Sequence, residues 1–209
     1  MKTPHPISEV KMKRRLRSAM EDPPPAMVTR SRSCVRDWFA QNAPLIRWNQ
    51  MTSPLGRLYV AVSPQGLCAI DFGRGESEFL QRLDPRARLE KNSQAVDQAM
   101  AQLREYFSGD RVRFDLPVDL SALTAFQRSV LETACRIDRG QMWTYHRVAL
   151  EMGRPKSSRP VGQALARNPI PIVIPCHRVI ASDGSLGGYS GGSGLKAKHW
   201  LLRLEGALL

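Results

Sequence analysis

A cysteine and a histidine stand side by side in a stiff apolar segment that runs from Ile170 to Ile180 and is flanked by prolines. A free thiol has a pKa of about 8.5, so a nucleophilic cysteine benefits from a nearby base at neutral pH. His177 is the candidate base for Cys176. Adjacent side chains on an extended segment point in opposite directions, which predicts a bridging water between thiol and imidazole. The alternative is that the cysteine is a small core residue.

A carboxylate follows this pair near the end of the chain. The spacing of apolar residues predicts a helix from Leu195 to Glu205 that ends at Gly206. Because a carboxylate in the last turn opposes the negative end of the helix dipole, we expect Glu205 to have a compensating partner. That partner is either the His177 imidazole or, at the surface, Arg203 or water.

A glycine-rich loop at residues 183–194 lies between the cysteine and this helix. Glycines allow a backbone to approach a planar ligand closely. Tyr189 and Ser190 offer an aromatic face and a hydroxyl within it. The alternative is a flexible linker.

Two short helices upstream carry basic side chains. Thr144 is placed to cap a helix that runs to Met152, and a second helix is expected from about Pro160 to Arg167. The glycine-containing turn between them is typical of a helix-turn-helix, although many such helix pairs bind nothing. The basic residues that favour nucleic-acid binding are Arg147, Arg154, Lys156, Arg159 and Arg167.

The first half of the chain reads as a structural unit. Alternating segments at 45–48, 57–62 and 67–72, separated by turn sequences, predict a small antiparallel meander. Apolar residues at helical spacing from Ala95 to Phe107 predict a helix that covers this sheet. No constellation of catalytic residues is seen here.

Length and charge limit the classes of protein to consider. At 209 residues the chain has room for two domains of ~100 residues; we expect a basic extension over 1–44, a first domain over 45–117 and a second over 118–209. The extension is interpreted as a solvated tail or as an arm that binds phosphate. The net charge of +12 favours a polyanionic partner, with nucleic acid ahead of a membrane surface. Neither a membrane span nor a secretory signal is expected.

The cysteines do not have the spacing of a metal site. None of Cys34, Cys68, Cys135 and Cys176 forms a CxxC pair, so we expect no structural metal and reduced thiols in a cytosol-like compartment.

The motifs together resemble a known family. The stretch from Ile174 to Val179, followed by the glycine-rich stretch from Gly187 to Gly192, resembles the active-site signature of the O6-alkylguanine-DNA alkyltransferases. The similarity covers the second domain and extends more loosely to the first. Further motifs that carry it are Phe126-Gln127, Thr144-Tyr145, Arg159-x-Val161-Gly162, Asn168-Pro169, Leu201 to Gly206 and, in the first domain, Ser53-Pro54-Leu55-Gly56.

The resemblance implies both fold and activity. It implies an α+β chain in which a ribonuclease H-like sheet domain precedes a mostly helical helix-turn-helix domain with the active cysteine. It implies direct reversal of DNA damage, in which one alkyl group passes irreversibly from O6-alkylguanine in duplex DNA to Cys176, with no cofactor. We expect a monomer in the cytoplasm, or in the nucleus of a eukaryote; activity on O4-alkylthymine and cooperative DNA binding stay open.

The resemblance also implies roles for individual residues. Cys176 is the nucleophile, His177 the base, and Glu205 orients the base. Asn168 supports the cysteine turn and Tyr145 donates a proton to the guanine ring. The substrate-pocket positions are Pro171, Val179, Tyr189 and Ser190. Among the DNA-binding positions, Arg159 enters the duplex in place of the extruded base, and Gly162 belongs to the same motif. Arg147, Lys156 and Arg167 are further DNA-binding candidates because of their basic charge.

The sequence departs from the family pattern at two places. Pro160 follows Arg159 where alanine is more common, and a proline biases the preceding residue away from helical geometry. The zinc ligands of some relatives are not reproduced by Cys34, Cys68 and His5.

Three other functions are consistent with parts of the sequence. A lesion-binding protein that recruits other factors shares this fold, but it lacks the nucleophile. A helix-turn-helix regulator needs a dimerising element, and none is evident. A cysteine hydrolase explains Cys176 with His177 and Glu205 but gives no reason for the net basic charge.

Overall fold

The structure is a computed structural model that describes residues 43–208. Pro44–Leu209 forms one compact unit. The predicted basic extension at 1–44 therefore lies almost wholly outside the described residues, as do His5 and Cys34. Within residues 43–208, helices are too short or too polar to cross a membrane.

A four-stranded sheet forms the first half. The first three strands pair antiparallel in sequence order, which confirms the predicted meander. A fourth strand pairs parallel with the first at the sheet edge; it was not predicted, because its four residues alternate without a clear apolar face. The strands are β1 (Leu45–Ser53), β2 (Gly56–Ser63), β3 (Gly66–Phe72) and β4 (Arg88–Lys91).

Two helices accompany this sheet, α1 (Glu76–Gln81) and α2 (Ser93–Ser108). Asn92 caps α2 by accepting a hydrogen bond from a backbone N–H of the first turn. Gly109 ends it in a left-handed conformation. The buried face of α2 packs on β1 and β2, which confirms the expected covering helix.

The second half is mostly helical. Thr124 forms the predicted capping box with Gln127, and Thr144 caps the next helix through its hydroxyl. The elements are α3 (Ala125–Ala134), β5 (Trp143–Thr144), α4 (Tyr145–Glu151), α5 (Ser158–Ala166), a 3-10 turn (Cys176–Arg178), β6 (Val179–Ile180) and α6 (Leu195–Leu204). Helices α4 and α5 pack on each other in the predicted helix-turn-helix order, and the α+β class is confirmed.

One hydrophobic core joins the two halves. It contains Phe72 and Leu103 from the first half together with Val130, Cys176 and Leu201 from the second. The backbone N–H of Ile70 on β3 also donates to the carbonyl of Pro169, at 2.8 Å. The sheet half therefore supports the segment that leads to the cysteine.

Candidate active site

Cys176 lies in a 3-10 turn that Asn168 braces from the end of α5. The Asn168 side-chain amide donates to the carbonyl of Ile174 at 2.9 Å and to Sγ of Cys176 at 3.1 Å. Its Oδ1 accepts from the N–H of Ile170 at 3.0 Å. These bonds close the loop between α5 and the cysteine. The expected extended segment is wrong here, because Cys176–Arg178 forms a 3-10 turn that the Asn168 side chain holds.

The thiol is buried, with 7% of Cys176 exposed. Burial raises the pKa of Cys176, and the hydrogen bond from Asn168 opposes that rise. The nearby cation of Lys198 also favours the thiolate. Because the pKa is raised on balance, the free protein holds a neutral thiol at neutral pH.

The imidazole of His177 is held by Glu205. Nε2 lies 3.0 Å from Oε1 of Glu205, and both residues are buried. Burial alone raises the pKa of Glu205, but hydrogen bonds from His177 and Arg178 outweigh it, and the pKa falls well below its usual range. The carboxylate is therefore ionised and can only accept, so Nε2 carries the hydrogen. This arrangement confirms that the carboxylate has a buried partner rather than a surface one.

The other ring nitrogen is then free to accept a proton. Nδ1 of His177 is buried and has no hydrogen-bond partner within residues 43–208. Burial lowers the pKa of His177, although the hydrogen bond to Glu205 opposes the shift. The imidazole is thus neutral at neutral pH, with an unprotonated nitrogen available as a base.

Two further donors complete the shell around Glu205. Arg178 donates from Nε to Oε2 and from Nη2 to Oε1, both at 2.8 Å, and from Nη1 to the carbonyl of Ile137. Tyr106 on α2 donates its hydroxyl to Oε1 at 2.7 Å. The carboxylate thus neutralises a buried guanidinium while it orients the imidazole.

A buried lysine links strand β6, which follows the cysteine turn, to the glycine-rich loop. Nζ of Lys198 on α6 donates to the carbonyl of Val179 at 2.5 Å and to that of Leu186. Burial lowers its pKa to about 8. Lys198 fixes the start of the loop beside the thiol.

A cavity of about 700 Å³ opens beside the thiol. Cys176 contributes to its wall, and α4, α5 and the glycine-rich loop supply most of the rest. The lining residues that the sequence singled out are Tyr145, Arg159, Gly162, Tyr189 and Ser190, and further lining residues include Ser158, Gln163 and Ser182. A buried thiol therefore has one side that faces an open space.

The glycine-rich loop is packed against the first half of the chain and is not a free linker. A Cβ atom on Gly192, whose φ is +52°, would lie 2.5 Å from Cδ2 of Phe72. A Cβ on Gly187 would lie 2.9 Å from the Tyr145 hydroxyl. The hydroxyl of Tyr189 is buried without a hydrogen-bond partner in the described part of the chain. The loop thus holds Tyr189 and Ser190 against the cavity.

Arg159 lies in the first turn of α5 at the cavity mouth. Both Arg159 and Pro160 are exposed and helical. Arg159 is helical despite the bias that a following proline imposes. Pro160 itself fits the first turn, where its missing N–H costs no helical bond.

The other predicted residues lie around the site rather than in it. Arg147 stacks on the Trp143 ring at 4.3 Å, and Lys156 and Arg167 are exposed on the helix-turn-helix. Pro171 and Val179 are buried and do not line the cavity. Among the described residues, no group of three or more metal-ligating side chains is present.

The two halves match two family profiles. Residues 46–120 match the profile described as the ribonuclease-like domain of 6-O-methylguanine DNA methyltransferase. Residues 125–207 match the profile of its DNA-binding domain. The chain belongs to the 6-O-methylguanine DNA methyltransferase family. Cys176, His177 and Glu205 all lie within the second profile.

Members of this family resemble the chain over most of its length. A methylated-DNA–protein-cysteine methyltransferase of Methanosarcina barkeri is 42% identical over 153 residues, which are 73% of this chain and 92% of the relative. One from Shigella flexneri is 39% identical, over 77% of this chain and 95% of the relative. The structure of Mycobacterium tuberculosis OGT in complex with DNA superposes with a TM-score of 0.66 at 34% identity, over 78% of this chain and 93% of that one.

The sequence reasoning missed three residues of this methyltransferase-family site. Arg178 stands next to His177 and could have been suspected as a partner for Glu205. Lys198 was hidden in a helix whose other charged residues face solvent. Tyr106 gave no local signal, because it is separated from Glu205 by 99 positions.

Proposed function

We propose that this chain repairs DNA by moving the alkyl group of O6-alkylguanine in duplex DNA onto its own Cys176, once per molecule. The observation that carries the proposal is a buried thiol on the wall of a cavity of about 700 Å³, next to an imidazole held by an ionised carboxylate. The names of the family and of its relatives agree with this chemistry.

Activation begins from a neutral thiol and a neutral imidazole. The proton on Sγ of Cys176 passes to Nδ1 of His177, through a bridging water. Glu205 then stabilises the resulting imidazolium, because its carboxylate already accepts the Nε2 hydrogen. Lys198 and the Asn168 amide stabilise the thiolate.

In the transfer step the sulfur attacks the sp3 alkyl carbon. A bond forms between Sγ of Cys176 and this carbon, and the bond from the carbon to O6 breaks, with its electron pair leaving on the guanine. Guanine is a poor leaving group as an anion, so a proton donor lowers the barrier. We assign that role to the Tyr145 hydroxyl, which lines the cavity.

The nucleotide must leave the base stack before the sulfur can reach it. Extrusion of a base costs a few kcal/mol, and an inserted side chain with a basic surface offsets this cost. We assign insertion into the duplex to Arg159, which is exposed and lines the cavity. Gly162 is assigned to the DNA-binding surface beside Arg159; a Cβ atom there would make ordinary van der Waals contact with the Tyr145 ring at 3.6 Å. The residues assigned to phosphate contacts are Arg147, Lys156 and Arg167.

The extruded base is proposed to lie between the glycine-rich loop and α5. Tyr189 and Ser190 line this space, so we assign them the contacts with the base. Pro171 and Val179 are buried and do not line this space, so we assign them the support of the pocket rather than contact with the base.

Two consequences follow from a thioether product. A thioether is not hydrolysed as an acyl-enzyme is, so the protein is spent after one transfer, and it needs no cofactor. We also propose that it acts as a monomer, in whichever compartment holds the DNA. Lesion binding without transfer is disfavoured, since it requires neither Cys176 nor the oriented His177.

The test mixes the full chain with a duplex that carries O6-methylguanine. We expect the protein mass to rise by one methyl group while the lesion becomes guanine. The Cys176→Ser variant should bind the duplex and gain nothing, whereas the matched control Cys135→Ser should transfer normally. Transfer that persists in Cys176→Ser contradicts the proposal.

A further inference from the structure

Tyr106 connects the sheet half of the chain to the carboxylate behind the cysteine. It is fully buried on α2, and its hydroxyl donates to Oε1 of Glu205 at 2.7 Å. The same oxygen accepts hydrogen bonds from Nε2 of His177, at 3.0 Å, and from Nη2 of Arg178, at 2.8 Å. Three donors therefore converge on the oxygen that orients the imidazole.

The position of this hydroxyl is fixed by its surroundings. The Tyr106 ring packs against Phe107 and Phe114, with centroid distances of 5.6 and 5.4 Å. The guanidinium of Arg139 lies 5.7 Å from the ring centroid and donates to the carbonyl of Leu204, at the end of α6. Packing of the Tyr106 ring and the contacts of Arg139 with both the ring and the end of α6 thus hold Tyr106 beside Glu205.

We propose that Tyr106 is a positioning residue for alkyl transfer, through which the ribonuclease-like half sets the orientation and basicity of His177. This inference rests on the proposed function of Cys176. It assigns a role in the reaction to a half of the chain in which the sequence shows no catalytic constellation.

The physical reason is competition for one oxygen. A donor to a carboxylate takes up part of its charge, and the loss of that donor makes the carboxylate a stronger acceptor. Without the Tyr106 hydroxyl, Glu205 attracts the proton of the imidazolium more strongly, so the pKa of His177 rises. The other charged or titratable groups around this cluster are Arg178, Arg139, Lys198, Cys176 and Tyr189.

The test compares Tyr106→Phe with Tyr59→Phe in the full chain. Tyr59 is also a core tyrosine but belongs to the other core cluster of the sheet half, so it controls for the removal of a hydroxyl from a core tyrosine. The single-turnover rate of methyl transfer is measured against pH. We expect the midpoint for Tyr106→Phe to move up by about one pH unit, with a rate about tenfold lower below the midpoint. Tyr59→Phe should keep the wild-type midpoint.

A second comparison asks whether Tyr106 acts through Glu205. In a Glu205→Gln background, Tyr106→Phe should change the rate no further, because the charged acceptor is already gone. An unchanged or lowered midpoint in Tyr106→Phe, or an equal effect in both backgrounds, overturns the inference.

A measurement on the wild-type chain tests the inference even if the variants fail to fold. The Tyr106 hydroxyl proton should exchange slowly and show a through-space NMR contact to the His177 ring, and a rapidly exchanging hydroxyl overturns the inference. The outcomes also separate the two proposals. If the wild type gains no methyl group, the proposed function fails; if it does and Tyr106→Phe matches it at every pH, only the role of Tyr106 fails.

Discussion

Replacement of Asn168 by alanine should damage stability and chemistry together. The side chain satisfies the carbonyl of Ile174 and the N–H of Ile170, both in buried backbone, and it donates to Sγ of Cys176. A buried backbone group left without a partner costs about 1–3 kcal/mol. Without the side chain the N–H of Ile170 has no partner, whereas the carbonyl of Ile174 still accepts from the N–H of Cys176. The free energy of unfolding should therefore fall by about 1–3 kcal/mol, out of the roughly 5–15 kcal/mol of an ordinary domain.

The same change should slow transfer, especially below alkaline pH. The hydrogen bond from Asn168 opposes the rise in the pKa of Cys176 that burial causes. Its loss raises that pKa further, so less thiolate forms at a given pH and the profile of rate against pH moves to higher pH. Urea unfolding measures the stability, and single-turnover methyl transfer measures the rate.

Asn92→Ala provides the matched control. Asn92 also bonds the backbone through its side chain, but it caps α2 and not the cysteine turn. Loss of such a cap costs about 1 kcal/mol and should leave the pH profile in place. Wild-type stability in Asn168→Ala, or a rate profile that matches the Asn92→Ala profile, would refute the reasoning.

Three further predictions concern stability and DNA binding. Burial lowers the pKa of His177 below 6.5, so below about pH 6.5 the unfolded chain binds a proton that the folded chain does not, and the free energy of unfolding should fall as the pH drops. The lowered pKa of Glu205 extends this loss of stability below pH 4.5. Urea midpoints that do not change with pH contradict the prediction. Gly192→Ala should cost about 1–3 kcal/mol by overpacking and slow transfer, because the new methyl meets Phe72; unchanged stability and rate argue against it. Lys156→Gln should reduce the magnitude of the negative slope of log affinity against log salt concentration by about one, as measured by titration of duplex DNA. An unchanged slope shows that Lys156 does not contact DNA.

Much of the fold was predictable because its signals are local. Alternation defined the first three strands, and caps at Thr124 and Thr144 marked two helix starts. Strand β4 escaped because it is short, charged and parallel to a strand far away in sequence. The turn at Cys176 escaped as well, since its geometry depends on hydrogen bonds from Asn168 that only the folded chain supplies.

The candidate site was predictable in part. A carboxylate at the unfavourable end of a helix dipole predicted that Glu205 has a partner, with His177 and a surface partner both open. The structure places Glu205 in contact with His177. Buried donors that reach the site from elsewhere were not predictable. Tyr106 looks like an ordinary core residue of α2, and Lys198 like an ordinary surface residue of α6, until tertiary packing brings them to the site.

The most direct test of the central claim is to locate the transferred group. The full chain is incubated with an excess of duplex containing O6-methylguanine, and its peptides are sequenced by mass spectrometry. We expect one methyl group per molecule, on the sulfur of Cys176, and no further lesion repaired once every molecule carries it. Continued repair by protein whose Cys176 stays unmodified, or a methyl group on another residue, would contradict it.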